Sequence, residues 1–155
     1  MGDIYLTRDD FANAFEAAFA DLDAEVVRAC AAHDNWPQGT AAAIQAALLL
    51  ASAHPDLVRV LTIESFQHGL YGAMRYRHVA RHFAAMLERG REQSDLAKRL
   101  PAITEEGLVG AIAEVVASRL RSGTAGGLTT LAPELIELTL IPYIGPAEAE
   151  KMAAA

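Results

Sequence analysis

Hydrophobic positions in this chain recur at intervals of three and four and nowhere in sustained alternation. That spacing belongs to helices that each bury one face, and not to strands. Phe11, Phe15, Phe19, Leu22, Val26 and Cys30 form the first stripe. Thr7 suits the N-cap before it, with Asp9 and Asp10 in the first turn where the helix dipole favours negative charge, so a helix is predicted to about Ala32. Asp34-Asn35-Trp36-Pro37 breaks it, and Pro37 suits the start of a second helix over roughly Gln38 to Ser52. There Leu48, Leu49 and Leu50 point three ways, which predicts neighbours on several sides. His54-Pro55-Asp56 is a stop and a restart, followed by a shorter helix carrying Leu57, Val58, Val60, Leu61 and Ile63 to about Phe66.

A long helix is predicted from near Gly69 to about Arg91, with Tyr76, Val79, Phe83, Met86 and Leu87 on one face and Arg77, His78 and Arg81 on the other. Gln93–Pro101 reads as a polar loop. Thr104, followed by Glu105 and Glu106, reads as the capped start of a helix whose face holds Leu108, Ile112, Val115, Val116 and Leu120. Gly123, Gly126 and Gly127 read as its end and a flexible link. Pro133 then opens Glu134–Tyr143, a helix apolar on nearly every side, with Glu134 and Glu137 its only charges. A small domain has no room to surround such a helix with its own residues, so a second copy of the chain is the expected cover. Gly145-Pro146 ends it, and Ala147–Ala155 is expected to fray.

The 155 residues suffice for one domain with its own core, and the composition, 52% hydrophobic with only 6% aromatic, favours packed helices over sheets. The predicted fold is an all-α antiparallel bundle of about six helices. Cys30, the single cysteine, excludes an intrachain disulfide and fits a reducing compartment as a small buried hydrophobe. No export signal is visible. The most apolar stretch, Ala41–Ala53, is interrupted by Gln45 and Ser52 and falls short of the roughly 20 residues that span a bilayer. A cytoplasmic protein without membrane contact is expected. The net charge of −7 is opposite to that of most nucleic-acid-binding domains, so this chain itself is not expected to bind DNA.

Three stretches carry a resemblance: LAPELIELTLIPYIG at Leu131–Gly145, with its Pro-Glu-Leu opening and Pro-Tyr-hydrophobic-Gly stop; LPAITEEGLVGAIAEVVASRLRSG at Leu100–Gly123; and TRDDFANAFEAAF at Thr7–Phe19. Together they resemble the C-terminal regulatory domain of TetR-family (tetracycline-repressor-like) transcriptional regulators. The middle of the chain agrees in helix order and length. The resemblance implies a homodimer formed through the last two long helices, with Leu108, Ile112, Val115, Val116, Arg119, Leu135, Leu138 and Ile141 at the interface. It also implies a pocket among the first, second and fourth long helices that takes a small hydrophobic effector. Phe15, Phe19, Leu48, Phe66, Tyr71, Met74, His82, Phe83 and Met86 are the candidate lining, with no metal and no cofactor. Family members carry a helix-turn-helix domain ahead of this region. Almost nothing precedes Thr7 here; Ile4-Tyr5 reads as a remnant of the end of that domain's recognition helix, without the residues that should separate it from Thr7, so DNA contact is expected only through a domain missing from this chain.

Other residues leave other chemistry open. His82 is the favoured polar group of the pocket, beside Phe83 and Met86. His78 and His82 have the i, i+4 spacing of a metal pair without a third ligand. Glu64 and His68 share that spacing and suit proton transfer, though a helix-end hydrogen bond explains them as well. Arg75, Arg77, Arg81, Arg89 and Arg91 form a basic group, read first as a solvated helix face. Arg119 falls in the apolar stripe of its helix and calls for a carboxylate, Glu134 or Glu137 of the same or a partner subunit. A small metal-dependent enzyme and an interaction module without a cavity are the alternatives to the ligand sensor.

Overall fold

Thr7 and Asp10 lock the start of the first helix. The Thr7 hydroxyl accepts from the Asp10 amide at 3.1 Å, and the Asp10 carboxylate accepts from the Thr7 amide in return. This is a computed structural model, describing residues 7–155; the reading of Ile4-Tyr5 lies outside them. Helix α1 (Arg8–Ala31) turns Phe11, Phe15, Ala18 and Val26 inward. Phe11 and Phe15 pack with Leu61 and Val79 into a small core of their own. Each such buried ring stabilises the fold by roughly 2 kcal/mol.

Asn35 caps α2 (Trp36–Ala53) by accepting from the Gln38 amide at 2.9 Å. α2 is the central helix, packed on α1, on the last two helices and on the turn before them. Leu48 is buried, but Leu49 is 63% exposed, so the helix is covered on fewer sides than its three leucines suggest. The chain then bends by 107° into α3 (Pro55–Arg59), a π-helical turn at Val60–Glu64, and α4 (Ser65–Gln67). Hydroxyls support the wide turn: Thr62 donates to the Val58 carbonyl at 2.9 Å and Ser65 to Leu61 at 3.0 Å.

Helix α5 (Gly69–Glu88) doubles back across α4, and Gly72 lies on the Ser65 carbonyl. The helix tightens into a 3₁₀ turn (Arg89–Gln93) at its predicted end, and α6 (Asp95–Lys98) forms where a polar loop is predicted. That segment is anchored: Ala97 is fully buried, and the Ser94 hydroxyl donates to the Tyr143 carbonyl at 3.0 Å. Helix α7 (Thr104–Arg121) has no side-chain cap, because Ile103 occupies the cap position and the Thr104 hydroxyl donates backwards to Pro101. Its other end is held by Arg59, which donates to the Leu120 carbonyl at 3.1 Å.

The glycine-rich link is not loose either. Ala125–Leu131 winds into a 3₁₀ helix that buries Leu128 completely. Helix α8 (Ala132–Ile144) and α9 (Pro146–Ala154) finish the domain, and α9 packs on α8 and α2 through the fully buried Ala149 instead of fraying. The main core joins Ile44 and Leu48 of α2 to Val116 and Leu120 of α7 and to Leu135, Ile136 and Leu140 of α8. The fold is all-α, with no strand among the described residues.

Candidate functional site: an apolar cavity walled by α1, α2, α5 and α7

Four small residues on one face of α2, Gly39, Ala43, Ala47 and Ala51, succeed one another at every fourth position and line the same space. Larger side chains there would fill it. As it is, a cavity of about 300 Å³ remains between that face and its neighbours. α1 contributes Leu22, Val26 and Cys30; α5 contributes Tyr76, Val79, Phe83, Met86 and Leu87; α7 contributes Val109, Ile112, Ala113 and Val116. Polar groups are few: Thr40, Thr62, Thr139 and the Tyr76 hydroxyl along the walls, and His33, Asp34, Asn35 and Arg89 at one end, where the α1–α2 turn meets the end of α5. An apolar hollow with sparse polar groups suits binding of an organic molecule more than catalysis.

Electrostatics agree. Burial pushes the Cys30 thiol up, with the charge of Arg89 working against it, and the sulfur donates to the Gly39 carbonyl at 3.5 Å. A protonated, hydrogen-bonded thiol is wall material and not a nucleophile. Burial, and then the negative charge of Glu114, raises the Tyr76 phenol, so it keeps its proton and can donate it to a ligand.

One wall connects to the far helices. The indole of Trp36 donates to the Met86 carbonyl at 3.2 Å and meets the Tyr143 ring edge-on at 4.9 Å. It also lies against Gly90, where a Cβ would overlap the indole ring. The Tyr143 hydroxyl donates to Glu105 at 3.1 Å. Arg91 clamps the same carboxylate with both arms, at 2.8 and 2.9 Å, and donates to the carbonyls of Leu100 and Pro101. Burial pushes the Glu105 carboxyl up, but hydrogen bonds from Arg91, a backbone amide and Tyr143 prevail and hold it below the ordinary carboxylate range. Glu105, read from the sequence as part of the capped start of a helix, is thus the buried tie between the 3₁₀ turn after α5, α7 and α8.

The structure divides the nine residues predicted to line a pocket. Leu48, Phe83 and Met86 line the cavity. Phe15 is sealed in the smaller core, and Phe19 packs at its edge. Tyr71 and Met74 border a separate surface depression near Arg8 and His68. Phe66 is 57% exposed against the outside of Tyr76. His82 faces outward, bonded to Asp23 at 2.7 Å and edge-on to Phe19. For Phe15 and Phe19 the cause is that the 3.6-residue period identifies the buried side of a helix but not which part of it borders a void; Phe66, Met74 and His82 instead lie on exposed faces.

His78 also turns toward Phe19, and no group of three metal-ligating side chains occurs among the described residues. His68 stacks flat on Phe11 at 4.1 Å, which replaces the expected helix-end hydrogen bond with Glu64. Arg75 pairs with Glu16 and lies over the Tyr71 ring at 4.9 Å, so part of the basic group is engaged within the chain.

Among the predicted interface residues, Val116 and Leu135 are buried in the chain's own core and present nothing to a second copy. Leu108, Ile112 and Val115 are half-buried, while Arg119 is exposed and forms no ion pair among the described residues. Leu138 and Ile141 stand out from α8 at 44% and 37% exposed. No single helix among the described residues is long and apolar enough to cross a membrane. Comparison with protein-family models, curated proteins and solved structures yields no match.

Proposed function

We propose that this chain is a ligand-sensing, dimer-forming domain of the TetR-like kind, taking a small apolar effector into the cavity between α1, α2, α5 and α7. The observation that carries the reading is the cavity itself, about 300 Å³ with almost wholly apolar walls. Apolar walls left open to water forgo roughly 25 cal/mol for each Å² that a ligand would cover. Occupancy by a ligand offsets that cost and gives a reason to keep the space open. The α7–α8 surface, with Leu138 and Ile141 bare, supplies the dimerisation half of the proposal. The tie from Trp36 through Tyr143 to Glu105 gives the two halves a physical connection: a ligand that prefers one position of the Trp36 wall also prefers one setting of α8. In a regulator of this kind that setting fixes the spacing of DNA-binding domains carried on the same or an associated chain.

Ala47→Phe tests the site. It places a ring in the middle of the cavity while leaving the surface unchanged. A panel of apolar small molecules, each at about a hundred times its Kd, should stabilise the native protein by about 2.7 kcal/mol, or about 5–10 °C at this size. The filled variant should melt no lower than the native protein and lose the ligand shift. A ligand shift that survives the ring would place binding elsewhere.

Replacing Leu138 and Ile141 together by aspartate should convert a dimer into a monomer in light scattering after gel filtration, with the helical circular-dichroism spectrum intact. Two charges facing two more across an isologous interface repel in pairs. A native protein already monomeric at high concentration would sink the dimerisation half of the proposal.

A further inference from the structure

Given the effector site proposed above, the shape and charge of the cavity narrow the effector's chemistry. Its lining follows α5 from Tyr76 to Arg89, about 20 Å of helix, and α2 from Gly39 to Ala51, about 18 Å. A volume of about 300 Å³ drawn out over that length is a slot and not a rounded chamber. Along it the walls are methyl, methylene and aromatic groups with an occasional hydroxyl, so nothing fixes a strongly polar centre midway. The end is different. Arg89 stands there at the open mouth, exposed to solvent and without an ion-pair partner among the described residues. Its field reaches the lining, where it opposes the effect of burial on Cys30. His33 and Asp34 share the same end.

We infer that the cavity takes an unbranched amphipathic anion, an acyl chain lying between α2 and α5 with its carboxylate on the Arg89 guanidinium. The fork of a guanidinium matches a carboxylate with two parallel hydrogen bonds, and the slot shields the chain from water. Asp34 acts against this head group, and its removal strengthens the binding.

Isothermal titration with decanoate, 1-decanol, decylamine and 1-adamantanecarboxylate separates the elements of the inference. Decanoate should bind the native protein tightest. Arg89→Gln should weaken decanoate roughly ten- to a hundredfold, the range for hydrogen bonds to a charged group, and leave 1-decanol unchanged. Asp34→Asn should tighten decanoate. Adamantanecarboxylate, with the same charge on a round body, should not bind. Equal affinity for decanoate and 1-decanol, or indifference of decanoate to Arg89→Gln, would overturn the anionic assignment while leaving the cavity a binding site. Decylamine binding tightest would overturn it in favour of Asp34 and a cationic head. Adamantanecarboxylate binding as well as decanoate would overturn the chain shape. If none of the four binds and Ala47→Phe also leaves the response to the apolar panel unchanged, the inference and the effector site fail together.

Discussion

Gly72→Ala should lower the stability of this protein by on the order of 3 kcal/mol, the upper end for forcing an extra carbon into a packed site. A Cβ on Gly72 falls within the van der Waals shell of the Ser65 carbonyl oxygen and 2.7 Å from its carbonyl carbon. The obstacle is backbone, so no side-chain rotation relieves it. Ser65 is itself fully buried, and its hydroxyl is committed to Leu61. α5 must therefore lift off α4, which loosens the π-helical turn and the Phe11 cluster beneath it. Elsewhere in a helix the same substitution is favourable by up to about 1 kcal/mol, so the sign of the effect is diagnostic. Thermal unfolding should show a midpoint roughly 6–12 °C lower. A midpoint equal to or above that of the native protein would mean that the two helices do not cross this closely.

Glu105→Leu should be comparably severe, on the order of 3 kcal/mol, because it strips the buried carboxylate from Arg91 and Tyr143 at once. The pH dependence distinguishes this from an ordinary packing defect. Hydrogen bonds hold the folded-state pKa of Glu105 below the ordinary carboxylate value. Its contribution is therefore fully present above that ordinary value and is lost as pH falls through the lower folded one. The gap in melting temperature between the native protein and Glu105→Leu should be widest near neutrality and shrink below about pH 4. A gap constant across that range would assign the loss to shape alone.

Stripes of large residues made the helices legible. The Phe11–Phe15 stripe and the Val79–Leu87 face lie within a few residues of where their periodicity puts them, because burial of one face is what sets that periodicity, and α8 lies where its apolar run between Pro133 and Gly145 puts it. Connections were harder to read. Gln93–Pro101 and Gly123–Leu131 are polar or glycine-rich, yet each drives one residue, Ala97 or Leu128, fully into the core. A single buried side chain leaves no periodic signal.

The buried tie escaped for another reason. Arg91, Glu105 and Tyr143 belong to three helices, and the spacing of 38 residues between Glu105 and Tyr143 encodes no contact. The cavity was the least legible feature. Its position depends on atoms that are absent, the side chains that Ala43, Ala47 and Ala51 do not have, and attention to Leu48–Leu50 passes over them. A run of small residues at every fourth position in a central helix was the signal available. It has an ordinary alternative, close helix packing, and sequence alone does not separate the two.

Those alanines also bear on how such a domain diversifies. Ala43, Ala47 and Ala51 border the lumen at successive depths, one helical turn apart; Ile44 and Leu48 on the adjoining line of α2 border it too and, with Ala51, also hold the core. Ala43 and Ala47, outside that cluster, are thus the dials on the width of the lumen. Adding a methyl at either alters what fits the proposed effector site while Ile44, Leu48 and Ala51 keep their core contacts. In the proposed effector-binding role, selectivity can drift through a lineage one carbon at a time while the architecture is inherited unchanged.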